Sequence, residues 1–145
     1  MKTDTILKIE NLTIGYKKDN TAYNLVNDIS FEIERGKTLG IIGESGSGKS
    51  LTAFSILNLL NTEHLSIDKG NILYNNSDLL KLSESELREI RGREISMIFQ
   101  NAFTSLNPLE KIGKQLARII TKKNKDDNKK QLHQKAIKLL DKVGV

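Results

Sequence analysis

The amino-acid sequence predicts an α/β fold in which a glycine-rich loop joins a strand to a helix. Two strands precede the loop, and two amphipathic helices follow further along. Three observations carry this expectation. Residues 43–50 read Gly-Glu-Ser-Gly-Ser-Gly-Lys-Ser between two apolar runs. Ahead of them, two stretches within residues 6–34 alternate apolar with polar side chains, the pattern of half-buried strands. Beyond residue 110 the apolar side chains recur at helical spacing instead.

Composition sets the outer limits. The 145 residues suit one modest domain, with 37% hydrophobic and 28% charged residues as in globular chains rather than disordered ones. No cysteine is present, which excludes a disulfide framework and thiolate metal sites. The first ten residues have charges spaced through them and lack the apolar centre of a secretion signal. No apolar run reaches the roughly 18 residues of a membrane span, so the chain itself is not expected to cross a bilayer. The net charge of +5 is largely local: residues 121–135 hold six lysines against two aspartates, a balance of +4. This stretch lacks the interleaved aromatics of single-strand binders, and nucleic acid is not an expected partner.

Taken in order, Ile6 to Tyr16 alternates through Leu7, Ile9, Leu12 and Ile14, and Tyr23 to Glu34 through Leu25, Ile29, Phe31 and Ile33. Lys17-Lys18-Asp19-Asn20 is the turn between these two expected strands. Arg35-Gly36-Lys37 turns the chain into a third strand at Leu39, Ile41 and Ile42, which feeds Gly43 to Ser50.

Those eight residues fit the phosphate-loop pattern G-x-x-x-x-G-K-[ST]. A triphosphate needs many donors and little side-chain bulk around it. Gly43, Gly46 and Gly48 give the backbone freedom to turn successive N–H groups inward, towards anions held at the positive end of the following helix. Lys49 adds a full positive charge, and the Ser50 hydroxyl is a hard oxygen suited to Mg²⁺. The helix after the loop is expected to run through Leu51, Ala53, Phe54, Ile56 and Leu57 to about Leu60. The core is thus expected to be that of a P-loop NTPase.

Asn61 to Lys69 is polar and reads as a loop, with His64 on its surface, before a short strand over Gly70 to Tyr74 closed by Asn75-Asn76. Ser83-Glu84-Ser85-Glu86 opens a short helix with a capping box, and Gly92 ends it. Glu94 to Phe99 reads as a buried strand delivering Gln100 at its end, followed by an irregular segment from Asn101 to Asn107 and the only proline, Pro108. Ile112, Leu116, Ile119 and Ile120 mark one amphipathic helix. Leu132, Ala136, Ile137, Leu140 and Val143 mark a second, ending at Gly144.

This order of elements resembles the nucleotide-binding domain of ATP-binding cassette transporters over the whole chain. Tyr16, in Leu-Thr-Ile-Gly-Tyr, is placed like the aromatic that stacks on adenine in that family. Residues 26–37 look like its lead into the phosphate loop, and Gln100 ends Ile-Ser-Met-Ile-Phe as the family's Q-loop glutamine ends its strand. Met97 to Pro108, with Thr-Ser-Leu-Asn-Pro, is similar to the version in importers of oligopeptides, dipeptides and nickel. Asn101-Ala102 departs from it, since an acidic residue and proline are more usual there. The family's Leu-Ser-Gly-Gly signature, its strand ending in Asp-Glu and its later switch histidine have no counterpart in these residues. His133 lies ahead of where the signature would begin and cannot be that histidine.

The resemblance implies ATP and Mg²⁺ as ligands. Tyr16 and the run Gly43, Glu44, Ser45, Gly46, Ser47, Gly48, Lys49, Ser50 and Leu51 would contact nucleotide, Ser50 and Gln100 would hold the metal, and Lys49 and Gln100 would act in phosphoryl transfer. It implies membrane-spanning permease subunits and a second ATP-binding subunit as partners, at the cytoplasmic face of the membrane. It also divides the chain into residues 1–103, the ATP-binding core with its antiparallel β subdomain, and 104–145, an incomplete helical subdomain. Two readings stand: the ATPase subunit of a peptide or nickel importer, truncated here, or a non-hydrolysing fragment that binds nucleotide or a partner. A GTPase or kinase would not explain Tyr16 and Gln100 at these spacings.

Overall fold

The computed structural model describes residues 4–19, 21–60, 63–100, 106–123 and 128–144. They form two compact units, Met1–Glu89 and Ile90–Val145.

In the first unit the alternating stretches form two long strands, β1 (Thr5–Lys18) and β2 (Thr21–Glu34), paired antiparallel. The pairing is not straight. Its register shifts around residues 9–14, where Asn11 and Asp28 both take positive φ. Side chains hold this irregularity: the Asn11 amide donates to Asp28 Oδ1 at 2.9 Å, and the Asp28 N–H donates to Thr13 Oγ1 at 3.2 Å. Such bulges bend a strand and deepen its twist.

β3 (Leu65–Tyr74) pairs with the other edge of β1, and β4 (Ser77–Asp78) with β3, giving the sheet order β2-β1-β3-β4. β3 thus begins at Leu65, well inside the segment expected to be a loop. Leu65 to Lys69, where polar Ser66, Asp68 and Lys69 weaken the strand signal, is carried by the β1 ladder through Leu65, Ser66, Ile67 and Lys69, an instance of tertiary pairing overriding propensity. Gly70, at φ +98°, is needed where β3 crosses the β1 irregularity. A Cβ there would lie 2.5 Å from the Glu10 carbonyl oxygen. Asn75 and Asn76, both at positive φ, make the two-residue hairpin turn into β4.

The core of this unit lies under the central strands, with Leu12, Ile14 and Ile72 fully buried and Ile9, Leu79 and Leu87 nearly so. α1 (Lys49–Ile56) is shorter than expected. Asn58 turns left-handed, and the N–H groups of Asn58 and Leu59 donate back to the Ser55 and Phe54 carbonyls, which closes the helix ahead of Leu60. A 3-10 turn (Leu79–Lys81) leads to α2 (Glu84–Ile90), whose capping box forms as the sequence predicts. The Ser83 N–H donates to Glu86 at 2.8 Å, and the Glu86 N–H to Ser83 Oγ.

Two expected strands are absent as strands. Residues 37–44 and 96–99 make no ladder among the described residues; Ile42 is 98% and Ile98 95% exposed. Runs as continuously apolar as these are read as strands buried on both faces, which requires neighbours on both edges. An isolated Arg91–Ile95 bridge lies just ahead of the second run.

In the second unit the Gly92 N–H donates to the Ile95 carbonyl, and the chain then reaches α3 (Ile112–Lys123) and α4 (Lys129–Lys142). The two amphipathic helices pack on each other and bury Ile120 and Ala136. Asn128 and Gln131 form the capping box of α4, and Gly144 at positive φ follows its end. Residues 101–105 and 124–127, parts of the expected irregular segment and lysine-rich connection, lie outside the described residues.

Candidate functional site: the loop at the start of α1

Residues 43–48 curl in front of the first turn of α1. Gly46 and Gly48 take φ of +83° and +89°, as the pattern requires of them. Gly43 does not, and its lack of a side chain serves proximity instead: a Cβ there would come within 2.7 Å of Ser47 Oγ.

Gly48 is the N-cap of α1 and brings no capping side chain, and no acidic residue occupies the first turn. The amide donors of that turn therefore face outward with the positive end of the helix dipole behind them, the ordinary arrangement for binding an anion. Lys49 folds back over the loop. Its ammonium donates to the carbonyl oxygens of Gly43, at 2.8 Å, and Glu44, and to Ser47 Oγ at 3.3 Å. The loop thus closes around a positive charge. Ser50 is exposed in the first helical turn.

The support behind the loop comes from β2. A Cβ on Gly48 would stand 2.6 Å from Val26 Cγ2 and 3.2 Å from the Leu25 carbonyl oxygen, so only glycine lets the loop lie this close to the strand. On the buried side of α1 sit two small hydroxyl residues. Thr52 Oγ1 donates to the Gly48 carbonyl at 3.0 Å and Ser55 Oγ to the Thr52 carbonyl at 2.7 Å. The apolar pattern of this helix singles out neither residue. The signal was present in their size, because short side chains let a helix approach a sheet. An open cleft of about 490 Å³ lies beside the loop, lined by Val26, Ile29, Phe31, Leu39, Ile41 and Lys49 among others.

Tyr16 is half-buried near the end of β1. Its ring lies 5.2 Å from that of Tyr23 and 5.7 Å from that of His64. His64 is therefore not the simple surface residue that its polar surroundings suggested, because the extension of β3 draws it against Tyr16. Gln100 is exposed at the end of residues 96–99 and belongs to the second unit. In that unit the Gln115 amide donates to the carbonyls of Asn107 and Glu110, and its oxygen accepts from the Asn107 N–H, which clamps the turn after Pro108.

Comparison with known proteins agrees with this geometry. Residues 26–145 match the family model described as ABC transporter. The chain is 41% identical over 143 residues to the uncharacterized ABC transporter ATP-binding protein YejF of Escherichia coli, covering 99% of this chain and 27% of that protein. It is 39% identical to the dipeptide transport ATP-binding protein DppD of Lactococcus lactis, covering all of this chain and 41% of the relative. The chain therefore spans less than half the length of these curated relatives. Among solved structures, the dimeric structure of MJ0796, a bacterial ABC transporter cassette, superposes with a TM-score of 0.76 at 25% identity, over 93% of this chain and 56% of that one.

Proposed function

The chain belongs to the ABC transporter family, and from that premise we propose that it is the nucleotide-binding portion of a peptide importer's ATPase subunit. The observation that carries this is the loop itself. Glycine at left-handed φ, uncapped helix donors and a lysine ammonium enclosed by loop carbonyls form a cradle for a triphosphate. Dipeptide transport in the Lactococcus lactis relative supports the peptide class, while a nickel importer rests only on the resemblance of residues 97–108.

In this reading Tyr16 stacks on adenine, and the backbone of residues 43–51 wraps the phosphates. Lys49 exchanges its loop carbonyls for the β- and γ-phosphates. The Ser50 hydroxyl is a hard oxygen that fits Mg²⁺, and the resemblance implies the Gln100 amide oxygen as a further ligand. Mg²⁺ held there would neutralise charge on the phosphates. Phosphoryl transfer depends mainly on positioning and charge stabilisation, and these residues supply the positioning. They do not include an acidic strand end to orient water or a Leu-Ser-Gly-Gly signature for a partner's loop. Permease subunits, a second ATP-binding subunit and a place at the cytoplasmic membrane face follow from the same proposal. Among the described residues no helix is long and apolar enough to cross a membrane.

The test is calorimetric titration of the 145-residue chain with Mg-ATP. Binding is expected, and Lys49→Ala is expected to weaken it about a hundredfold, the loss of two charge-assisted hydrogen bonds. Equal affinity in the variant would refute the cradle. ATP turnover by this chain, abolished by Lys49→Ala, would instead show that these residues complete catalysis, and would overturn the reading of them as a binding portion only.

A further inference from the structure

We propose that Tyr23 and His64 are positioning residues that hold the Tyr16 ring as a platform for the base of a bound nucleotide. The proposal rests on the reading above that Tyr16 stacks on adenine.

Tyr16 lies on the central strand of the sheet, so it has a neighbour on each side. On one side the β1–β2 register sets Tyr16 opposite Tyr23. Partners across an antiparallel pair share a face, and here the rings meet with centroids 5.2 Å apart and planes inclined by 33°. On the other side β1 pairs Tyr16 with Leu65, and the residue before Leu65 is His64. Its backbone is fixed by the Lys17 N–H, which donates to the His64 carbonyl at 2.8 Å, and its ring reaches Tyr16 with centroids 5.7 Å apart at 57°. Both distances fall in the range where tilted aromatic pairs attract.

These rings are not core filling. The core is made by Leu12, Ile14 and Ile72, whereas Tyr23 is 50% exposed and Tyr16 and His64 are half-buried. A tyrosine two residues from the end of a strand would otherwise sample several rotamers, and each would have to be given up on stacking against a base. Rings on both sides remove that freedom before the ligand arrives.

The cluster also stands where a base would fall. Ile14, two residues before Tyr16, is opposite Val26, and Val26 is the residue against which Gly48 of the loop packs. Two strand residues span about 7 Å, so one sheet presents the phosphate loop and the three rings at a spacing a nucleoside can bridge.

The test compares ATP with tripolyphosphate, both as Mg²⁺ complexes, by calorimetric titration of the same chain. Tripolyphosphate carries the phosphates without the base, so a platform defect leaves its binding unchanged. Tyr23→Ala and His64→Ala are each expected to weaken ATP about two- to tenfold and leave tripolyphosphate unaltered, and Tyr23→Phe and His64→Phe to restore ATP binding. Losses shared by both ligands would assign the two residues a merely structural role and overturn the proposal. So would unaltered ATP affinity in the alanine variants, or phenylalanine variants that fail to restore it. Tyr16→Ala separates the layers. If it weakens ATP alone while the Tyr23 and His64 variants do nothing, the platform stands and its bracing falls. If it too does nothing, adenine stacking itself falls, and the bracing with it.

Discussion

Gly48→Ala perturbs the point where the loop, the helix and β2 meet, and its effect can be worked from the structure. A non-glycine residue at φ +89° costs about 1–2 kcal/mol in left-handed strain. The new Cβ would also sit 2.6 Å from Val26 Cγ2 and 3.2 Å from the backbone oxygen of Leu25, and an overpacked contact of this kind costs about 1–3 kcal/mol more. The sum, about 2–5 kcal/mol, must be met each time the loop takes up its cradle, which predicts Mg-ATP binding weakened at least about thirtyfold. Gly46 is the internal control. It has φ +83° but nothing within 4 Å of a built Cβ, so Gly46→Ala bears only the strain and is expected to weaken binding about five- to thirtyfold. Val26→Ala removes the clashing methyl groups. In a double-mutant cycle it should couple favourably to Gly48→Ala by about 1 kcal/mol or more, and leave the left-handed strain in place. Titration calorimetry on the four cycle members, with circular dichroism to confirm folding, reads all of this. Equal losses at Gly46 and Gly48, together with no coupling to Val26, would refute the claim that β2 sets the position of the loop.

Leu12→Ala deletes a fully buried side chain on the central strand and should destabilise the chain by about 2–5 kcal/mol in urea titrations; a change below about 1 kcal/mol would mean that the sheet centre can collapse onto the gap. At α2, hydrogen bonds from the Ser83 hydroxyl and Ser83 N–H hold the Glu86 carboxyl below its ordinary value of 4.5, the hydroxyl contributing most. A lowered folded value means that this stabilisation is complete above pH 4.5 and is lost as the pH falls through the folded value. The native chain should therefore lose stability relative to Glu86→Gln over that acid range and hold its advantage at neutral pH. Parallel denaturation profiles for the two at every pH would contradict the assignment.

What the sequence made legible was whatever is decided locally. The loop, the Ser83–Glu86 capping box, the β1 and β2 alternation and the two terminal amphipathic helices each carry their own signal within about ten residues, and each formed. What was not legible depended on partners far along the chain. Leu65 to Lys69 looked like a loop because only the β1 ladder makes it a strand. Leu39 to Ile42 and Ile95 to Phe99 looked like strands because their composition demands burial, and the neighbours that would provide it are not among the described residues. The helix after the loop looked longer because Leu57, Leu59 and Leu60 continue its apolar content. Their spacing gave no warning that Asn58 would turn left-handed. Thr52, Ser55 and Val26 belong to the site through close approach, which depends on the size of a residue rather than on the polarity that periodicity reports.

The same contrast explains why the antiparallel sheet, which holds none of the phosphate-binding residues, organises the site. Gly48 can lie against β2 only because the strand offers a flat edge of backbone, Leu25, and one compact side chain, Val26. Val26 is set in register with Ile14 on β1, and β1 carries Tyr16 two residues further on, between the rings of Tyr23 and His64. The loop and the aromatic platform are therefore not two sites joined by chance. They are fixed to one ladder of hydrogen bonds, so a shift in the β1–β2 register would move one against the other by about 3.3 Å per residue. The side-chain links from Asn11 to Asp28 and from Asp28 to Thr13 pin that register at the point where it is irregular. Their contribution to nucleotide binding is indirect, and it lies in keeping the distance between base and phosphates constant.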